Sequence, residues 1–139
     1  MNEARYETPQ AAEAAFYAAF IKRDVNAMMD VWAADDNVSC IHPLGPILTG
    51  RDAIRESWET IFRNSPEMQI VISGRSRGQD GTFAINIVEE HIRAANEPPG
   101  TPMHATNIYR LTDTGWRMVL HHASPSPPPS AKGDTPTLH

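Results

Sequence analysis

The chain has 139 residues, of which 40% are hydrophobic, and a formal net charge of −5. This length suits one domain with a buried core. The acidic balance argues against nucleic acid or an anionic membrane as a partner, because both need clustered Lys and Arg. No apolar run is long enough for a membrane-spanning helix, and no basic stretch precedes an apolar one near the N-terminus. We therefore expect no signal peptide and a cytoplasmic protein.

Three helices are predicted in the first half of the chain. Thr8, followed by proline, has the form of a helix cap, and residues 9–22 carry aromatic side chains at helical spacing. Asp24 can cap a short second helix. Thr49, with an aspartate three residues later, has the form of a capping box for a third helix that ends at Asn64.

The pattern changes to the period of strands in the second half. A short strand is also predicted at 38–41, ending at His42, where Pro43 stops it. Tight connections of the hairpin kind join the later segments, and strands joined in this way pair antiparallel. The later predicted strands are residues 68–77, 82–93, 102–112 and 116–124.

Helices followed by a long meander indicate an α+β fold. We expect a cone-shaped, strongly curved antiparallel sheet with the N-terminal helices packed on its concave face, which is a natural place for a small-molecule cavity. The domain is predicted to span residues 8–125. Residues 1–7 are predicted to be a flexible N-terminus, and residues 126–139 a flexible Pro-rich tail.

This layout resembles the nuclear transport factor 2-like superfamily and, within it, the SnoaL-like proteins. The resemblance covers about residues 8–125. Its relatives include ketosteroid isomerase, scytalone dehydratase and the association domain of calcium/calmodulin-dependent kinase. The residues that carry it are Phe16 and Phe20, Asp24, the Trp32-to-Asp36 helix end, His42-Pro43, Gly50-Arg51, Trp58 and the closing strand Gly115 to Ser124.

The resemblance implies roles for three positions. His42 is similar in position to the general-base aspartate of the isomerase-like members, and a neutral imidazole is a competent base near pH 7. Asn107 is similar in position to a protonated aspartate that stabilises a developing oxyanion, and an amide can donate the same hydrogen bond. Phe16 replaces the oxyanion tyrosine, which argues against ketosteroid isomerase activity as such. His42 and Asn107 could instead be structural residues.

Alternation along the last strand predicts which side chains face the cavity. Leu120 and His122 are expected to face inward and His121 outward, so His122 is a candidate second acid/base or a residue at a subunit interface. The same rule turns Met103 and Asn107 inward, while the facing of strand 82–93 stays open. The predicted pocket wall comprises Phe16, Phe20, Trp58, Met103 and Leu120.

No metal or cofactor is expected. The chain has no His-Glu-x-x-His helix, phosphate-binding glycine loop or dinucleotide fingerprint. The adjacent His121 and His122 point to opposite faces of a strand and are poor co-ligands. Cys40 lies in an apolar strand and is expected to be a small buried hydrophobe.

Two functions follow from this pattern. The first is a small-molecule-binding protein, with His42 transferring a proton on a small hydrophobic oxygenated substrate in a cofactor-independent isomerisation, dehydration or cyclisation. The second is a non-catalytic binding or association domain that forms a homodimer through the outer face of the sheet. An open cavity with paired polar groups would favour the first, and a concave side filled by aromatic rings would favour the second.

Overall fold

The computed structural model describes residues 5–127. Most of the predicted flexible ends, namely residues 1–4 and 128–139, lie outside the described residues. Within the predicted N-terminal stretch, Tyr6 pairs with Gly115 in an isolated bridge. The elements in chain order are α1 (Pro9–Lys22), α2 (Val25–Val31), β1 (Ser39–Ile41), β2 (Ile47–Thr49), α3 (Arg51–Asn64), β3 (Met68–Asp80), β4 (Phe83–Ala94), β5 (Met103–Thr112) and β6 (Gly115–Pro125).

The six strands form one curved, unclosed sheet in the order β2-β1-β6-β5-β4-β3. All neighbours pair antiparallel except β1 and β6, which are parallel. The three helices cover the concave face, and the apolar core lies between helices and sheet. The predicted α+β class is confirmed. Among residues 5–127, no helix has both the length and the apolar character needed to cross a bilayer.

Two of the predicted helix caps are confirmed. The Thr8 hydroxyl accepts a hydrogen bond from the Ala11 amide at 3.0 Å. The Asp24 carboxylate accepts one from the Ala27 amide, also at 3.0 Å. Each satisfies one of the amides that the first turn of a helix leaves without an internal partner.

The predicted cap of α3 is wrong. Thr49 belongs to β2, where it pairs with Ser39, and Gly50 is the residue before the helix, with a φ of 92° that favours glycine. The first amide, that of Arg51, instead donates to Asp36 Oδ1 at 3.1 Å. The capping oxygen therefore comes from the loop that follows α2.

A β-bulge in β6 overturns the predicted facing of its second half. Ile108 pairs with Leu120, but the next residue, Tyr109, pairs with Met118, so Val119 is the extra residue on β6. A bulge places two residues of one strand opposite one of the other and breaks simple alternation. The side chains that follow Val119 therefore change faces.

The prediction that His122 faces inward and His121 outward is accordingly wrong. His121 is buried on the concave side with 2% of its surface exposed, whereas His122 is exposed on the outer face. Leu120 pairs with Ile108 and shares its outer face, so Leu120 does not line the concave side. Val119, which shares the parity of His121 and would face outward by the same alternation, packs against the core.

Strands β4 and β5 follow plain alternation near the centre of the sheet. Asn107 is fully buried, as predicted for β5, and His104, which has the opposite parity, is exposed. The question left open for β4 is resolved, because its buried side chains face inward and the intervening apolar ones face outward. The inward set is Ala84, Asn86, Val88 and Glu90, and the outward set includes Phe83, Ile85 and Ile87.

Candidate functional site

Aromatic rings from α1 and α3 fill the concave side of the sheet. Phe16 is fully buried and packs edge-on against Trp58, with ring centroids 5.7 Å apart. Phe20, which is half-buried, lies 5.0 Å from Trp58, and Phe62 lies 5.3 Å from Trp58. We define Phe16, Phe20, Trp58 and Phe62 as the aromatic cluster.

His42 stands at the edge of the aromatic cluster, just beyond the end of β1. Its ring packs edge-on against Trp58 at 4.8 Å, and its Nε2 lies 2.9 Å from Ser57 Oγ. Ser57 donates its own hydroxyl proton to the Ile54 carbonyl at 2.7 Å, so it accepts from His42. The proton of neutral His42 is therefore on Nε2, and Nδ1 is the basic nitrogen. Burial lowers the pKa of His42 below its usual 6.5.

Four buried polar side chains form a hydrogen-bonded chain beneath the aromatic cluster. His121 Nδ1 lies 2.6 Å from Asn107 Oδ1. Asn107 Nδ2 donates to the Tyr17 hydroxyl at 3.0 Å. Tyr17 in turn donates to Glu90 Oε2 at 2.6 Å. We call this set, His121–Asn107–Tyr17–Glu90, the polar chain; it joins β6, β5, α1 and β4.

Burial favours the neutral form of both ionisable ends of the polar chain. Desolvation raises the pKa of Glu90 to about 7, against a lowering by the Tyr17 hydrogen bond. Desolvation lowers the pKa of His121 to about 3, with a further lowering from His42 and His122. It also raises the pKa of Tyr17, so that the phenol keeps its proton and remains a donor.

Trp58 contributes a donor that has no acceptor. Its side chain is 1% exposed, and its indole Nε1 is buried without a hydrogen-bond partner among the described residues. A buried, unsatisfied donor costs about 1–3 kcal/mol and therefore calls for a reason.

The structure brings together most of the residues predicted for the site, but not all of them. Phe16, Phe20 and Trp58 lie beside His42, and Asn107 lies within the polar chain. Met103 is half-buried on the same face, paired with Glu90. Leu120 and His122 lie on the opposite face of the sheet and do not join the site.

Three residues of the polar chain were not predicted, namely Tyr17, Glu90 and His121. The available signal was the concave-facing set of β4, in which Glu90 shares the parity of Ala84 and Val88. A buried carboxylate on the same strand face as these apolar residues is rare and marks a polar site.

Two cavities among the described residues lie away from the aromatic cluster. One of about 340 Å³ is bordered by Arg51, Arg110 and Arg117, and one of about 310 Å³ lies beside the ends of β3 and β4. Neither is lined by His42, Asn107 or His121. The Arg51 guanidinium donates to three backbone carbonyls near the end of α2, with distances of 2.7–3.2 Å, and so links α3 to α2.

Neither cysteine nor metal chemistry is indicated within residues 5–127. Burial raises the pKa of the Cys40 thiol to about 12, so the thiol is protonated and poorly nucleophilic near pH 7. No three His, Cys, Asp or Glu side chains in this range are arranged to hold a metal ion.

Comparison with known proteins gives a family and several structural relatives. Residues 10–128 match the family model of the SnoaL-like domain. A crystal structure from Thiobacillus denitrificans, named provisionally as a calcium/calmodulin-dependent protein kinase type II association domain, is 43% identical with a TM-score of 0.87. That match covers 90% of this chain and 100% of the relative.

A second crystal structure, named provisionally as a dehydratase of the NTF2-like family from Streptomyces avermitilis, is 30% identical with a TM-score of 0.77, covering 86% of this chain and 94% of that one. The F-box protein SKIP8 of Arabidopsis thaliana is 26% identical over 110 residues. This match covers 78% of the chain but 46% of SKIP8, so the chain spans less than half the length of this curated relative.

Proposed function

The chain belongs to the SnoaL-like domain family, and on that premise we propose that it binds a small, apolar, oxygenated molecule on the concave side of its sheet. The observation that carries the proposal is Trp58 Nε1, a buried donor without an acceptor inside the aromatic cluster. An oxygen atom of a bound ligand would accept this hydrogen bond and remove the cost of leaving it unmade. The surrounding rings would contact the apolar part of the ligand.

His42 is the proposed proton-transfer group. Its Nδ1 is the basic nitrogen, since Nε2 donates to Ser57, and its ring packs against Trp58. An imidazole kept neutral by burial can accept a proton next to a carbonyl held by Trp58. Isomerisation, dehydration or cyclisation without a cofactor would use this step, and the relative from Streptomyces avermitilis carries the name of a dehydratase.

A ligand would have to open the aromatic cluster to bind. Phe16 and Trp58 are fully buried, whereas Phe20 is half-buried on the rim of the cluster. Rotation of Phe20 away from Trp58 is therefore the motion that costs the least buried surface. We expect ligand binding to change the environment of Phe20 before that of Phe16.

A thermal-shift screen against small oxygenated aromatic compounds tests the proposal. A compound at 100 times its Kd should stabilise the fold by about 2.7 kcal/mol. Trp58→Phe should weaken binding about tenfold because it removes one hydrogen bond. Trp32→Phe is the matched control, since Trp32 Nε1 is also buried without a partner but lies near the end of α2.

The same screen with His42→Ala examines the role of the histidine. Weaker binding, or loss of turnover of a compound that binds, supports a role at the site. Absence of any hit, together with a lower melting temperature of ligand-free His42→Ala, contradicts the proposal and indicates a structural histidine.

A second candidate function is self-association through the outer face of the sheet, and the filling of the concave side by aromatic rings, as expected for an association domain, supports it. Ile85, Ile108 and Leu120 lie in one row across β4, β5 and β6, and exposed Phe83 and Ile87 extend this apolar strip. A two-fold axis would place the strip of one copy against that of another. The relative from Thiobacillus denitrificans carries the name of an association domain. Analytical ultracentrifugation tests this candidate, and a monomer at all concentrations would contradict it.

A further inference from the structure

We propose that the polar chain fixes His121 with its proton on Nδ1, so that Nε2 accepts a hydrogen bond from a ligand bearing a hydroxyl or N–H group. The inference rests on the proposed small-molecule site and names the class of ligand that this site selects. It assigns a positioning role to Tyr17, Asn107 and Glu90, which act on the ligand only through His121.

The direction of the polar chain follows from its acceptor-only end. Above its pKa of about 7, Glu90 is ionised and has no proton to give, so under that condition the short contact of 2.6 Å requires Tyr17 to donate. Having donated its single proton, the Tyr17 oxygen can only accept. It therefore accepts from Asn107, at 3.0 Å, and the atom of Asn107 facing it must be the amide nitrogen.

The orientation of Asn107 decides the tautomer of His121. With its nitrogen turned to Tyr17, the amide presents its oxygen to His121 Nδ1 at 2.6 Å. Oxygen Oδ1 can only accept, so Nδ1 must carry the proton. A neutral imidazole has one N–H, and Nε2 is thus left as a hydrogen-bond acceptor. No described residue hydrogen-bonds to Nε2.

The His121 ring lies against the aromatic cluster, where the ligand is proposed to bind. The His121 ring packs against Phe16 at 4.8 Å and lies 6.1 Å from the Trp58 ring. We infer that one small ligand bound between these rings contacts both the unpartnered donor of Trp58 and the acceptor of His121. A hydroxyl group satisfies both, since its oxygen accepts and its proton is donated.

The charge of the surroundings selects against anions. His121 is buried, which opposes its protonation, and Glu90 lies at the other end of the polar chain. Neither offers a positive charge to a carboxylate or phosphate. The favoured ligand is a neutral, largely apolar molecule with an alcohol, phenol, enol or N–H group, rather than one whose oxygens are all acceptors.

Nitrogen-15 NMR of the histidine rings in the whole chain tests the tautomer directly. At pH 8, above the pKa of Glu90, we expect His121 to show a protonated Nδ1 and an unprotonated Nε2. Exposed His122 serves as the internal reference for an unconstrained ring. Tyr17→Phe keeps the ring volume but removes the link to Glu90, and should convert His121 into a mixture of tautomers. A proton on Nε2 in the wild type, or an unchanged single tautomer in Tyr17→Phe, overturns the inference.

A matched pair of probes tests the selection. Both 2-naphthol and 2-methoxynaphthalene offer an oxygen to Trp58, but only 2-naphthol has a proton for His121. By calorimetry we expect 2-naphthol to bind about tenfold more tightly, as one added hydrogen bond allows. His121→Phe should abolish this preference, and His122→Phe should preserve it. If His121→Phe does not fold, Tyr17→Phe should still reduce the preference.

The outcomes separate this inference from the proposed function. Equal binding of the two probes overturns the inference and leaves the small-molecule site standing. If neither probe binds, the proposed function fails and the ligand selection falls with it, whatever the tautomer. Tighter binding of 2-naphthol that depends on His121 and Tyr17 supports both.

Discussion

Glu90 and His121 are buried at opposite ends of the polar chain, and the fold favours the neutral form of each. The pKa of Glu90 rises from 4.5 to about 7, so stability increases as the pH falls from 7 to 4.5. The pKa of His121 falls from 6.5 to about 3, so stability decreases as the pH falls from 6.5 to 3. Between pH 4.5 and 6.5 each group changes the free energy of unfolding by about 1.4 kcal/mol per pH unit, and the two changes have opposite signs.

Glu90→Gln should expose the slope due to His121. Glutamine can accept the Tyr17 hydrogen bond but does not titrate. The variant therefore loses the stabilisation that protonation of Glu90 gives as the pH falls. We expect the free energy of unfolding of the variant to fall steeply from pH 6.5 to 4.5, while that of the wild type changes less. Urea unfolding at half-unit pH steps measures this. Glu89→Gln, which alters a carboxylate on the outer face, is the control, and parallel curves for Glu90→Gln and wild type would contradict the pKa assignment.

At the residue scale, sequence reasoning found the residues whose position depends on local pattern. His42 is marked by a strand end and a following proline, and Asn107 by alternation within an unbroken strand. Tyr17 was not predicted, because the resemblance points to Phe16, one position earlier. Neighbours on a helix point about 100° apart, yet both are buried, since α1 is enclosed over a wide arc by the sheet and the other helices.

The start of α3 shows how one element depends on another. Gly50 has no side chain to cap the helix, and Asp36 supplies the capping oxygen from the loop after α2. Asp36→Ala should lower the free energy of unfolding by about 1 kcal/mol, which is typical for loss of a helix cap. Asp36→Asn keeps an acceptor and should lose less. Chemical denaturation provides the measurement, and equal losses in the two variants would mean that the carboxylate charge, not the capping bond, matters.

The boundaries of the helices and strands were more predictable than the face of the sheet on which each side chain lies. The helices and long strands follow from apolar period, turns and caps, each a property of a few neighbouring residues. The orientation of the β6 side chains does not follow from such a local pattern, because the bulge at Val119 arises from the pairing of β6 with β5. A bulge depends on the partner strand, so no pattern within β6 predicted which of its two histidines is buried.

At the scale of the whole molecule, the apolar strip on the outer face predicts a dimer that one charge should disrupt. Ile108→Glu places a carboxylate at the centre of the row formed with Ile85 and Leu120. We expect this variant to sediment as a monomer at concentrations where the wild type is dimeric. Leu44→Glu is the matched control, since Leu44 is 93% exposed in the β1–β2 connection. Dissociation by both variants alike would point to a different interface.

The order of helices and strands was enough to predict the architecture, but not the state of the concave side. Closure of that side depends on how Phe16, Phe20 and Trp58 contact one another in three dimensions. Spacing along α1 and α3 shows only that these rings share the apolar faces of their helices. Whether they leave a gap is set by side-chain packing between elements, which a single sequence does not specify.

The bulge at Val119 has a consequence for mutational tolerance in this strand. Deletion of Val119 would straighten β6 and keep His121 on the concave face, because the pairing on either side would be unchanged. A one-residue slip of the following segment would instead turn His122 inward in place of His121. Two consecutive histidines thus keep an imidazole on the concave face in either register: removal of the bulged residue retains His121, whereas a one-residue slip brings in His122.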